Sequence, residues 1–359
     1  MDPALAALGE FGLIGLIQRR IRERTGGTIR GIGDDAAVLA PDPGQALLAT
    51  TDMLLEGIHF QRAWARPREL GRKAMAVNVS DIAAMGGRPL YALLGLGIPS
   101  EGITLAEVEA LLLGMEEEAA DHGVTLVGGD TCASGSGLVI SVTLLGRALP
   151  EGPVFRSGAR PGDSLWVTGT LGGSAAGLLA LQEGFRPGQG WPPGVARPDW
   201  LGGDAEAAIQ AALAAHLTPV PRLAAGRALV GCATAMIDVS DGIASDTAHL
   251  CTEGRVAVRL QASRIPIHPG ASVLARLLGR EVLDLALRGG EDYELLFATA
   301  ADPEGVLAEA APGLPVTRIG EAVPGPPIPT LVHPDGREEI LAGGFDHFKE
   351  AVPGSRHRG

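Results

Sequence analysis

Short apolar runs alternate with segments of helical period along almost the whole chain, and that alternation restricts the fold more than any other feature. Residues 36–40, 46–51, 91–98, 124–127 and 138–145 are brief, rich in Val, Leu and Ile, and bounded by Gly, Pro or Asp, as strands are. Between them, residues 11–24 place Phe11, Ile14, Ile17 and Ile21 on one helical stripe, and Pro67 opens a helix reaching about Met85. Thr104 and Glu107 form a capping box for a third helix that ends near Gly123. Strands and helices mixed in this way share layers, so an α/β or α+β chain is predicted, the first half having roughly four strands and two long helices after its N-terminal helix.

A break follows. Pro150, Pro153 and Pro161 fall within residues 148–162, the composition of a linker, and 359 residues exceed what one core usually serves. Two domains are expected, 1–149 and 150–359. The second offers strands at 165–168, 235–237 and 293–299 and a helix at 173–182. Further helices start from Asp204, Pro221 and Gly242, and a hairpin is expected around Asp335-Gly336. Residues 184–203, dense in Gly and Pro, read as a long surface loop.

The formal charge of −13 argues against a nucleic-acid or anionic-membrane surface, which needs a basic face. It is compatible with a small phosphate-bearing molecule if metal ions neutralise both sides. Lysines are confined to Lys73 and Lys349, neither in a G-x-x-x-x-G-K-[ST] frame, and no H-R-D or D-F-G set occurs, so neither a P-loop nor a protein-kinase fold is predicted. Cys132, Cys232 and Cys251 are odd in number and widely spaced, which suits a reducing compartment. With no signal-like N-terminus and no apolar run of membrane-spanning length, a cytoplasmic location is expected.

The acids are the unusual part. Asp34 and Asp35 stand side by side in GIGDDAAVL; Thr50, Thr51 and Asp52 end an apolar run; Ser80 and Asp81 interrupt a helical pattern. Gly128, Gly129 and Asp130 end TLVGGDT, and Asp238, Ser240 and Asp241 end AMIDVSDG. Any one of these is ordinarily a turn or cap. Together they repeat a pairing of acid with glycine or hydroxyl at the mouths of buried segments, which turns alone do not require. Carboxylates facing one cavity repel each other unless divalent cations lie between them, and Mg²⁺ takes oxygen ligands shared with substrate phosphates. Asp35 is therefore expected to face magnesium, with Asp34 capping or orienting the turn.

In order and with matching spacing, GIGDDAAVL, TTDMLLEGIHF, KAMAVNVSDIAAMGG, VGGDT, FRSGARPGD, IDVSDGIASD, GGEDYELLF and GGFDHF resemble the thiamine-monophosphate kinase family, within the aminoimidazole ribonucleotide synthetase-like superfamily. The resemblance spans about residues 10–348. It implies a two-domain α/β homodimer whose N-terminal sheet pairs with its mate, ATP as co-substrate, and several Mg²⁺ ions. It implies metal ligation by Asp35, Thr50, Thr51, Asp52, Asp81, Asp130, Asp238 and Asp241, with Asp35, Asp52, Asp81 and Asp130 central to catalysis. By the same resemblance Gly129, Asp130, Arg156 and Ser240 meet ATP, while His59, Glu291 and Phe345 meet thiamine monophosphate.

The implied reaction accounts for the lack of an evident general base. A phosphate monoester has its second pKa near 6 and is mostly ionised at pH 7, so transfer to it needs charge neutralisation and alignment. Two rivals remain. Another ATP-using synthetase of the superfamily would consume ATP with an amide substrate and ignore thiamine monophosphate. A non-catalytic acidic metal-binding module would be stabilised by Mg²⁺ without added effect of nucleotide.

Overall fold

The computed structural model describes residues 28–30, 37–42, 45–99 and 101–343. Asp34, Asp35, Phe345 and the helix expected at 11–24 lie outside the described residues.

The first half contains β1 (Thr28–Arg30), β2 (Ala37–Asp42), β3 (Gln45–Leu55), α1 (Pro67–Ala84), β4 (Arg88–Pro99), α2 (Leu105–Asp121), β5 (Thr125–Ser134) and β6 (Val139–Arg147). Its strands form one sheet in the order β1-β2-β3-β6-β4-β5, antiparallel except for the β4–β5 edge pair. Along β6 burial alternates, with Ile140, Val142 and Leu144 turned inward, so one face packs on helices and the other does not. Pro67 starts α1, and Glu69 reaches back to the Arg66 amide at 2.9 Å. The expected capping box of Thr104 and Glu107 does start α2.

Helix α1 is buried almost all round from Leu70 to Ser80. A helix of this kind belongs inside a molecule. It contacts β3 and β6 on the one hand and the second half on the other.

The second half comprises β7 (Ser164–Thr168), α3 (Gly173–Gln182), α4 (Gly203–Leu217), α5 (Leu223–Ala228), β8 (Ala235–Asp238), α6 (Ile243–Gly254), β9 (Ala257–Gln261), α7 (Pro269–Leu278), α8 (Val282–Arg288), β10 (Leu295–Thr299), α9 (Glu304–Ala310), β11 (Val316–Val323), β12 (Pro329–Val332) and β13 (Glu338–Ile340). Seven strands are ordered β13-β12-β9-β11-β7-β10-β8. Successive residues of β10 enter different cores. Leu295 and Phe297 pack with Ala83 and Ala84 of α1, whereas Leu296 and Ala298 pack with Val167, Ile237 and Leu250. This sheet is covered on both faces, and α1 supplies part of one cover. At that seam a Cβ on Gly226 of α5 would stand 2.0 Å from the Ala83 carbonyl oxygen, so only glycine allows the approach.

Several expectations are corrected. Strand β3 continues past Thr51 to Leu55, and β5 past Val127 to Ser134, so Asp52 and Asp130 sit within strands rather than at their ends. The helix expected from Pro221 starts at Leu223. Strands β9 and β11 and helices α7, α8 and α9 carried patterns too short or too mixed to stand out in the sequence. Residues 184–202 carry no helix or strand, as expected, yet Phe185 is buried and meets Trp191 edge-on at 4.9 Å. That pair joins a cluster with α3, α4 and α7, which also receives Trp64 and Ala65 from the first half.

Candidate active site

The acids gather where α1 passes between the two sheets. Thr50 on β3 donates a short hydrogen bond to Asp81 on α1, and the Asp52 amide donates to Asn78 Oδ1 at 3.2 Å. Two residues along α1 from Asn78, Ser80 donates to Asp238 Oδ2 at 2.6 Å, tying the first half to the end of β8. Asp238 is only 2% exposed, so this bond offsets part of the cost of burying a carboxylate.

Tyr293 reports how close the acids lie. Burial pushes its hydroxyl well above the ordinary range, and the carboxylates of Glu291, Asp52, Asp238 and Asp81 push it further. Four acids from β3, α1, β8 and the turn before β10 therefore share one region.

Thr51 and Asp130 do not join them. In the register of the first sheet Asp52 pairs with Val142, and Val142 with Leu94, all in the row that faces the core. Thr51 pairs with Thr143, and Asp130 pairs with Gly95, which is in turn opposite Ser141; these rows face the uncovered side. Thr51 donates to the Val142 carbonyl at 3.0 Å and lies 3.1 Å from the Thr143 hydroxyl. Asp130 is exposed on the edge strand and caps the Thr131 amide at 2.9 Å. One chain thus divides the predicted metal ligands between two faces of a sheet. Gly129 has a local reason of its own: at φ 155°, a Cβ there would stand 1.8 Å from the Leu94 carbonyl oxygen.

Arg156 is half-buried in the connector, which is pinned at Val154 to the Met85 carbonyl and at Phe155 to the Met236 amide, both beside the end of α1 and β8. The loop of Ser240 and Asp241 is held at 3.3 Å by the Asp241 amide on Asp246 Oδ2, and Gly242 at φ 101° turns the chain into α6.

The turn before β10 has an unusual backbone. Glu291 and Tyr293 both have positive φ, 63° and 50°, a conformation that side chains other than glycine seldom adopt. It is fixed on three sides. The Glu291 and Tyr293 amides donate to Ser240 and Val239 carbonyls at 2.7 and 2.8 Å. Asp292 accepts from the Gly172 and Ser174 amides at the start of α3, at 2.7 and 3.1 Å. Burial pushes the Asp292 carboxyl up to about 7 against the lowering effect of those amides. Glu294 receives both arms of Arg222, at 2.7 and 2.5 Å, and the Thr168 hydroxyl at 2.7 Å.

Glu291 faces the first half. Its Oε2 lies 2.9 Å from Lys73 Nζ and 3.3 Å from His216 Nδ1. Burial works to raise the Glu291 pKa, but the charges and hydrogen bond around it, the Lys73 ammonium foremost, together outweigh burial and hold it below the usual carboxylate range. His59 accepts the Leu55 amide through Nδ1 at 3.0 Å, leaving Nε2 as the protonated nitrogen when neutral. Sequence reasoning missed Lys73, His216, Asp292, Glu294 and Arg222. A lysine inside the apolar pattern KAMAVNV, in a chain with two lysines, was the one signal available.

Among the described residues no group of three or more His, Cys, Asp or Glu side chains forms a ready metal cage. The oxygen-only set of Asp52, Asp81 and Asp238 still fits magnesium, which is usually held by one or two carboxylates and completed by substrate phosphates. A cavity of about 510 Å³ lined by Gly169, Arg222, Glu294, Gly313 and Pro315 contains none of the predicted site residues. None of the helices among the described residues is long and apolar enough to cross a membrane.

Residues 33–148 match the N-terminal domain of AIR synthase related protein, and residues 160–329 match its C-terminal domain. The thiamine-monophosphate kinase of Bacillus subtilis is 34% identical over 95% of this chain and 100% of its own length. That of Escherichia coli K12 is 35% identical over 88% of this chain and 90% of its own. Among solved structures, AaThiL complexed with AMPPCP and TMP superposes with TM-score 0.79 at 33% identity, covering 96% of this chain and 98% of that one. Hydrogenase maturation protein HypE in complex with ATP, at 18% identity and TM-score 0.67, shares the fold alone.

Proposed function

The chain belongs to the thiamine-monophosphate kinase family, and from that premise we infer that it transfers the terminal phosphate of ATP to thiamine monophosphate, giving thiamine diphosphate and ADP. The observation that carries this reading is kinship along the whole chain, both halves being matched together to enzymes of one activity.

The chain's own groups suit that chemistry. The acceptor phosphate arrives ionised, so the protein needs to align two anions rather than remove a proton. Among the described residues of the site none stands out as a general base. Asp52, Asp81 and Asp238 would hold magnesium from the core side, and Asp130, Thr51, Asp35 and Asp241 from elsewhere in the site. The metal, when bound, neutralises charge on the phosphates. Arg156, Ser240 and Gly129 would meet ATP, while His59, Glu291 and Phe345 would meet thiamine monophosphate. That His59 and Glu291 come from different halves, with His59 near enough to lower the Glu291 pKa, supports their sharing one substrate.

A homodimer belongs to the same proposal. The uncovered face of the first sheet exposes Met53, Tyr91, Leu93 and Val127, and β5 is an exposed edge, features of a surface that pairs. Asp130 and Thr51 lie on that face. A second copy there would surround them with protein that one chain does not supply. We also place the division between domains at 149/150, in the connector that precedes β7, and assign the chain to the cytoplasm.

A coupled assay of ADP release tests the function, with thiamine, thiamine monophosphate and thiamine diphosphate offered separately. Turnover with thiamine monophosphate alone is expected. Equal turnover with free thiamine would reveal a missed base, and none with any of the three would overturn the reading.

A further inference from the structure

A lysine in an enzyme of phosphate transfer commonly meets phosphate, but the surroundings of Lys73 commit it elsewhere. It is 3% exposed, and the small space beside it, about 10 Å³, is walled by Phe60, Trp64, Leu70, Leu181 and Leu217. That leaves scarcely room for one water. Among the described residues its hydrogen-bond partner is Glu291, at 2.9 Å. Burial and the Lys73 charge lower the His216 pKa to about 3, so His216 is a neutral neighbour, its Nδ1 2.9 Å from the Ser174 hydroxyl.

An ion pair of this kind, its lysine buried and its carboxylate half-buried, adds little net stability, because the desolvation of its charges offsets their attraction. It does fix geometry. Glu291 sits on a left-handed backbone, and the foremost charge acting on its carboxylate is the Lys73 ammonium, 2.9 Å away. The ammonium of α1, itself enclosed, holds the carboxylate in one place through that bond. It does so across the seam, from the first half to the second, a short way along the chain from the His59 loop.

We propose that Lys73 is a positioning residue for thiamine-monophosphate binding: it acts through Glu291, setting that carboxylate against the substrate, and makes no phosphate contact itself. This rests on the reading that Glu291 meets the substrate.

The test uses the full-length chain and three variants, Lys73→Met, Glu291→Gln and the two combined, with KM for thiamine monophosphate, KM for ATP, kcat and thermal unfolding measured for each. Lys73→Met is expected to raise KM for thiamine monophosphate by about tenfold or more, the scale of a lost charged hydrogen bond. The KM for ATP should change by less than about twofold, within the scatter of independent sites. In the Glu291→Gln background, adding Lys73→Met should change KM for thiamine monophosphate by less than about twofold, because the group it positions has lost its charge. The double variant should also unfold no lower than Lys73→Met, which leaves a half-buried carboxylate without its cation. If the two effects multiply, or both KM values rise together, Lys73 acts on phosphate or on the scaffold and the proposal is wrong. A wild-type KM in Lys73→Met beside a raised one in Glu291→Gln also sinks the proposal alone. A wild-type KM in Glu291→Gln sinks the reading of Glu291 on which it rests.

Discussion

The two sheets of this chain solve the same packing problem differently. In the second, consecutive residues of β10 enter separate cores, and Leu295, Leu296, Phe297 and Ala298 are all fully buried. In the first, β6 alternates, and the outer face leaves Tyr91 and Val127 about half exposed, at 49% and 54%. A strand covered on both sides reads as a continuous apolar run, whereas a strand covered on one side alternates. The consequence for the site is direct. The two-sided sheet delivers Asp238 as a buried acid held by Ser80. The one-sided sheet divides its acids, sending Asp52 to the core and Asp130 to the open face.

The largest effect expected from this contrast is on the two-sided sheet. Phe297→Ala should lower the unfolding free energy by about 3–5 kcal/mol, the range for emptying a fully buried aromatic position. Urea unfolding would measure it, and a loss below about 1 kcal/mol would show that one cover of that sheet is loose.

Next comes the acid of the open face. Asp130→Asn keeps size and removes charge; activity should fall by about a hundredfold or more, the scale of one lost transition-state contact, while the unfolding curve stays in place. Near wild-type turnover at saturating Mg²⁺ would remove Asp130 from the site and leave the open face without a catalytic part.

The seam between the halves should respond to acid. His216 has a folded pKa of about 3 against an ordinary 6.5, through burial first and the Lys73 charge second, with Glu291 opposing. The unfolded chain therefore takes up this proton first, and stability falls as pH falls from about 6.5 towards 3. At pH 5 the loss from this group amounts to about 2 kcal/mol. His216→Gln should flatten that part of the stability–pH curve; an unchanged slope would assign it to other groups.

The smallest effect on the single chain lies on the open face. Leu93→Asp should change its unfolding free energy by less than about 0.5 kcal/mol, as surface substitutions usually do. Self-association, followed by sedimentation, should weaken in the same variant. A clear loss of chain stability without loss of association would mean that something in the chain itself covers this face.

Much of this was legible in the sequence because the signals are local. Pro67 and the Thr104–Glu107 box fix helix starts through backbone groups within one turn, and helix α3 was read to its boundaries. Strand β9 and helix α9 were not legible, since short elements take their stability from distant partners that a local pattern does not show. The acids were legible as a set by their company of glycines and hydroxyls. Their grouping was not, because the face each acid occupies is set by how β3 and β5 pair with strands distant in the chain, which no local pattern shows.

What the sequence determined alone is the alternation of strand and helix and the motifs that mark the family. Those follow from residue types and short spacings. The tertiary structure decided which acids share a face, that the turn at Glu291 adopts a left-handed backbone, and that Lys73 is enclosed with it. Each of these depends on contacts between residues far apart in the chain, Lys73 with Glu291 and Ser80 with Asp238. Such contacts exist only once α1 is packed between the two sheets, and no local pattern of charge or hydropathy encodes which partner will be found there.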